Sequence, residues 1–151
     1  MKNLTNLTNC NFQVQNFLEI DTTSCKKADL VLFLGILYHL DNPLQAIRKI
    51  RSLTKNLCII ETQVAKSNPE LECCWGSDPQ NRRGPALALI ESDKWHVGSN
   101  KPLVLVPTLN ALYKMLYASG FKQLFLGIPT ETMEEQFQNF DRVIIFAQVD
   151  D

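Results

Sequence analysis

The stretch that most constrains this chain is DLVLFLGILYHLD, residues 29–41, with the two elements that follow it. Leu30, Val31, Leu32, Phe33 and Leu34 form an unbroken apolar run, which predicts a strand buried on both faces. Gly35 ends the run, where the backbone can turn or approach a ligand closely without a Cβ in the way. Pro43 fits the first position of a helix, with Asp41 or Asn42 as its cap. Leu44, Ile47, Ile50 and Leu53 then recur at helical spacing. A second apolar run, Leu57, Cys58, Ile59 and Ile60, ends at Glu61 and Thr62. Strand, helix, strand in that order predicts a right-handed parallel crossover. Ligands of open α/β sheets bind beyond the carboxyl ends of the strands. Glu61 is therefore expected at the same edge as residues 35–39, and any site is expected there.

The flanking segments are less regular. Residues 1–11 are expected to be a flexible lead-in. Phe12, Gln13, Val14 and Gln15 alternate apolar and polar, which predicts a short strand, and residues 16–27 connect it to the central run. Residues 65–101 break the rhythm with prolines, glycines, Trp75 and Trp95, so they are expected to form an irregular insert, functional or mobile. Arg82 and Arg83 are its basic feature; His96 has no second ligand nearby and reads as structural. Residues 103–106 read as extended, and Thr108 caps a helix whose apolar face is Leu109, Leu112, Tyr113 and Leu116. Gly120 is placed to end it. Residues 121–126 predict a strand, 127–139 a polar link, and 143–149 a closing strand antiparallel to its neighbour.

Composition excludes several function classes. The chain has 151 residues, enough for one domain with a real core. Its net charge of −1 predicts no generic attraction to nucleic acid or to a membrane surface. Arg48, Lys49, Arg51 and Lys55 read as a solvated helix face rather than an RNA patch. No apolar stretch is long enough for a membrane span. Five cysteines without a CxxC spacing predict a reduced, cytoplasmic protein. The adjacent Cys73 and Cys74 read as ordinary loop thiols, and no metal site is expected.

With these residues in view, a family resemblance emerges. DLVLFLGILYHLDNPLQAIRKIRSL, followed by an apolar strand ending ETQV, resembles the later half of a class I S-adenosylmethionine-dependent methyltransferase. Gly35, Ile36, Leu37, Tyr38 and His39 match the GVLYH-type segment after that family's fourth strand with one conservative change. Within the superfamily the segment is similar to the tRNA wobble-uridine carboxymethyltransferase branch. Leu105, Val106, Pro107 and Thr108, followed by ALYKMLYASGF, resemble the same branch further on.

The resemblance implies an α/β fold: a partial Rossmann-like methyltransferase sheet, mixed, with an antiparallel final strand, lacking the family's first two strands. It also implies S-adenosyl-L-methionine as cofactor. Asn16, Phe17 and Leu18 match the adenine side, Leu34 and Gly35 lie beside the cofactor, and Arg142 falls near an arginine that meets a carboxylate. Tyr38 and His39 match positions near the transferred group; Tyr38 would orient the acceptor and His39 accept a proton. The six glycines never form a GxG pair, so the turn that grips the methionine part has no counterpart. That argues against a complete active site in one chain. The reading is a methyltransferase acting on tRNA or a small molecule, or else a non-catalytic binding or regulatory subunit, or a truncated remnant. An unpaired apolar strand edge predicts a homo-oligomer or a catalytic partner chain.

Overall fold

The computed structural model describes residues 10–66, 87–91 and 103–150. Of residues 87–91, 103 and 104 the backbone alone is described. Most of the lead-in, the Cys73–Cys74 pair, Arg82, Arg83, Trp95 and His96 lie outside the described residues.

The crossover forms as expected. β1 (Ala28–Leu34) leads through a 3₁₀ turn at Leu37–His39 into α1 (Pro43–Leu53), which runs directly into β2 (Thr54–Gln63). The Asn42 side chain accepts from Gln45 N at 3.0 Å, and Pro43 sits in the first turn, where its missing N–H costs nothing. β1 and β2 are parallel, with Leu30 opposite Leu57, Leu32 opposite Ile59 and Leu34 opposite Glu61. β2 is longer than its apolar run because polar residues at both ends join the ladder. At its start, the fully buried Thr54 donates from Oγ1 to Ile50 O at 2.7 Å.

The rest of the chain completes two sheets. β3 (Leu87–Glu91) lies inside the stretch read as an irregular insert and pairs antiparallel with β4 (Leu103–Pro107). α2 (Leu109–Ala118) starts at Thr108, whose side chain accepts from Ala111 N, and stops before Gly120 at φ +99°. β5 (Gln123–Leu126) follows, then the short α3 (Glu135–Gln138) within the expected polar link, then β6 (Arg142–Gln148). β6 is antiparallel to both β2 and β5, so the main sheet has the order β1-β2-β6-β5 and the reversed final strand.

Both long helices cover one face of that sheet. Ile47 and Ile50 of α1 and Leu112 and Leu116 of α2 pack on Phe33, Cys58, Ile60, Val143 and Ile145, with Phe121 closing the cluster. Each such aliphatic side chain contributes about 1.5–3 kcal/mol of apolar burial.

Two expectations fail here. No strand forms at residues 12–15; Phe12 and Val14 are fully exposed, and the chain there makes only a 3₁₀ turn at Phe17–Glu19. Alternation creates a strand only where a ladder forms, and residues 12–15, although they share a groove with the start of β1, make no backbone bond to it. The second failure is β1 itself. It is not buried on both faces: Leu30, Leu32 and Leu34 are 50%, 57% and 49% exposed, while Phe33 on the helix face is buried. The link between β5 and β6 covers only the far part of the open face, near Ile144 and Phe146.

Candidate functional site at the carboxyl edge

Topology brings four chemically distinct residues to one edge. Gly35 follows β1, Tyr38 sits in the 3₁₀ turn, Glu61 lies near the end of β2, and Arg142 opens the antiparallel β6. Gly35 N donates to Glu61 O at 3.1 Å, continuing the ladder one residue past β1. Gly35 has φ +70°, the left-handed region that disfavours a Cβ. A Cβ built there would lie 3.6 Å from Glu61 Oε2 and 3.7 Å from Tyr38 Oη, so both polar atoms flank the glycine at contact distance.

Charge at the edge is internally matched. Arg142 Nε lies 2.6 Å from Glu61 Oε1, and the two side chains are only 20% and 15% exposed. The approach is off the N–H axis: a charge contact, with neither atom in an aligned hydrogen bond. Arg142 Nη2 donates to Tyr38 Oη, and the guanidinium lies 5.2 Å from the Tyr38 ring centre and 5.9 Å from that of Phe137. An arginine only donates, so Tyr38 Oη is the acceptor in that bond.

The second sheet holds Tyr38 from above. Tyr38 packs with the buried Val106 of β4 and with Ala65. Ala65 N donates to Pro107 O at 2.9 Å and Val64 N to Asp141 O at 2.9 Å, tying the end of β2 to both β4 and the start of β6. His39 lies against Tyr38 with ring centres 4.2 Å apart, and its buried Nδ1 has no hydrogen-bond partner. A pocket of about 270 Å³ adjoins Arg142, lined by Gly127, Met133, Phe137, Phe140 and Ile144.

The expected site residues thus separate into two places. Leu34, Gly35, Tyr38, His39 and Arg142 share the carboxyl edge. Asn16, Phe17 and Leu18 sit against the helix layer: Asn16 caps the 3₁₀ turn, the Phe17 ring lies 5.0 Å from that of Phe33, and Leu18 O accepts from Lys49 Nζ. Glu61 was expected at this edge but not named among the site residues, and it proves to be the counter-ion of Arg142. Its signal in the sequence is an acid just after a buried apolar run, diagonal in the ladder to an arginine that opens the antiparallel strand.

Twenty-six chains of known structure match this fold. The N-terminal domain of EvdMO1, solved in the presence of S-adenosylhomocysteine and D-fucose, superposes with a TM-score of 0.69 at 15% identity over 95% of this chain and 56% of that one. The CurJ carbon methyltransferase gives 0.52 at 14% identity, over 89% of this chain and 34% of that one. A Nostoc punctiforme protein provisionally named an O-methyltransferase gives 0.55 at 18%, over 90% and 35%. The chain has a methyltransferase-like fold. This methyltransferase-like chain spans little more than half the length of the EvdMO1 domain. No family model and no curated protein matches its sequence.

The edge residues fit only part of the cofactor that such a fold implies. Gly35 leaves room beside two polar atoms, which suits close approach of a ligand. The carboxylate of an amino-acid moiety needs a cation or a set of free backbone N–H groups; the guanidinium of Arg142 is already paired with Glu61, and the sequence has no GxG turn to present such N–H groups. The whole of S-adenosylmethionine therefore does not fit the described residues, and no transfer step is derived through it. Among the described residues there is no cluster that could ligate a metal and no helix long and apolar enough to cross a membrane.

Proposed function

We propose that this chain contributes the acceptor-orienting part of a methyl-transfer site at the carboxyl edge of β1 and β2. One observation carries the reading: Arg142, which lines a pocket, donates to Tyr38 Oη and so fixes the position of that hydroxyl at the carboxyl edge. A hydroxyl whose position is set in advance aligns a nucleophile at little entropic cost. His39, with Nδ1 buried and unbonded, is the adjoining group that accepts a proton. Leu34 and Gly35 border the reacting centre, and Asn16, Phe17 and Leu18 form the adenine side. S-adenosyl-L-methionine is the cofactor that the fold implies, and the described residues supply only part of a site for it.

The acceptor class we favour is a small hydroxylated molecule rather than tRNA. The net charge of −1 supports this choice, since phosphate-backbone recognition rests on excess cations. So does the EvdMO1 domain, studied with D-fucose. The setting we propose is the reducing cytoplasm, on the cysteine pattern. A second reading, a non-catalytic binding or regulatory subunit, is favoured by the Glu61–Arg142 pair, which occupies a cation otherwise open to a cofactor carboxylate.

Calorimetry with S-adenosylhomocysteine and saturation-transfer NMR with D-fucose separate the two. Transfer to D-fucose that disappears in Tyr38→Phe, with no tight nucleoside complex, is the expected result. No transfer to D-fucose removes the acceptor role and leaves the regulatory reading. A tight nucleoside complex with the isolated chain contradicts the partial-site account.

A further inference from the structure

The outer edge of β1, which touches the site above only at Leu34, is an unpaired strand edge among the described residues. Gly35 N points at β2, where it meets Glu61 O. Backbone direction alternates along a strand, so the N–H and C=O groups of Leu30, Leu32 and Leu34 point the other way. Among the described residues, β2 is the sole strand beside β1, and no backbone bond reaches β1 from its outer side. The segment 13–26 lines a groove of about 700 Å³ with Ala28, Leu30 and Val31 but makes no such bond either. The devices that blunt edge strands are missing: between Leu30 and Leu34 there is no proline, no lysine and no break in register. The opposite edge, β5, is protected by being only four residues long.

We propose that β1 pairs antiparallel with β1 of a second copy of this chain, about a twofold axis at Leu32. Under that symmetry Leu32 faces Leu32, and Leu30 faces Leu34 in each direction. All three outward-pointing residues become hydrogen-bonded pairs, so the edge is complementary to itself. The same register lines up the half-exposed leucines of both copies along one face, where each covers part of its neighbour. Charge selects the antiparallel arrangement. Lys26 and Lys27 are exposed just before β1, and parallel pairing would stack them on their counterparts. Antiparallel pairing about Leu32 sets the two basic pairs at opposite ends of the paired segment, at least roughly 33 Å apart along the strand direction. The two strands overlap over Leu30–Leu34, a contact strip of roughly 17 Å by 10 Å, well below the ~800 Å² per partner of a standard interface, so the pairing is reversible.

Sedimentation velocity over a wide dilution series tests this. The mass is expected to rise from one chain to two with concentration and to stop there. Leu32→Pro removes an outward N–H that the β1–β2 ladder does not use, so the fold should survive. Leu32→Lys keeps the backbone bonds but sets two ammonium groups opposite each other on the axis. Both variants are expected to stay at the mass of one chain with unchanged far-ultraviolet circular dichroism. A wild-type chain that is monomeric at every concentration, a mass that climbs past two copies, or a dimer that persists in Leu32→Lys overturns the proposal. Should Leu32→Pro fail to fold, the lysine variant decides alone.

Discussion

Arg142→Met isolates the part of the site that the carboxyl edge depends on most. Methionine keeps the length and apolar contact between the Tyr38 and Phe137 rings but removes the charge and every donor. It leaves the Glu61 carboxylate, 15% exposed, without its cation. Breaking a fully buried pair by removing one partner costs about 3–5 kcal/mol. This pair keeps some solvent and lies off the hydrogen-bond axis, so about 2–3 kcal/mol is the fitting share. Loss of the bond to Tyr38 Oη adds about 1 kcal/mol. Glu61→Gln strands the Arg142 guanidinium, 20% exposed, in the same way and should also cost about 2–3 kcal/mol. In the double variant no charge is stranded, so its cost should fall short of the sum by about 1–2 kcal/mol. Urea unfolding at constant slope measures all three. Costs that add to within about 0.5 kcal/mol would refute the coupling, and with it the view that these residues act as one unit.

Four further outcomes follow from the structure. Gly35→Ala should destabilise by about 1–2 kcal/mol from its φ of +70° alone, since the added Cβ meets only ordinary contacts. Gly35→Asn, which tolerates that region better, should recover part of the loss in thermal melts; equal losses would point to a steric cause instead. Burial pushes the Cys58 thiol up to about 12, while in the unfolded chain a thiol titrates near ~8.5. The stabilisation from holding that proton is therefore complete below ~8.5 and is lost as pH rises toward 12, and Cys58→Ala should flatten the alkaline limb of a stability–pH curve. Native alkylation followed by mass spectrometry should modify the exposed Cys10 and Cys25 and spare Cys58; rapid labelling of Cys58 would contradict its burial. Leu116→Ala, in the fully buried face of α2, should cost about 2–5 kcal/mol by chemical denaturation, and a loss under 1 kcal/mol would contradict the core assignment.

The backbone signals in this sequence were local, and local signals survived. The Asn42–Pro43 helix start, the Thr108 cap, the Gly120 stop and the parallel pairing of the runs at Leu30 and Leu57 all depend on neighbours a few residues away or on chain handedness. What failed was anything that depends on coverage. A continuous apolar run says that both faces of β1 are apolar; it does not say that both are covered, and Leu30, Leu32 and Leu34 are half exposed. The alternation at residues 12–15 formed no ladder. The place where Gly35, Tyr38 and Glu61 meet was legible, because a parallel crossover brings the carboxyl ends of both strands to one edge. Its wiring was not: the bond between Tyr38 and Arg142 joins residues 104 apart in sequence, and only the register of β2 against β6 reveals the Glu61 counter-ion.

The central claim is that ligand recognition occurs at the edge formed by Gly35, Tyr38, Glu61 and Arg142. Heteronuclear NMR of the backbone-assigned chain, titrated with S-adenosylhomocysteine and with D-fucose, tests it most directly. Weak, fast-exchanging shifts centred on Gly35, Tyr38, Glu61 and Arg142 are the predicted result. Shifts confined to another surface, or none with either ligand, would contradict it.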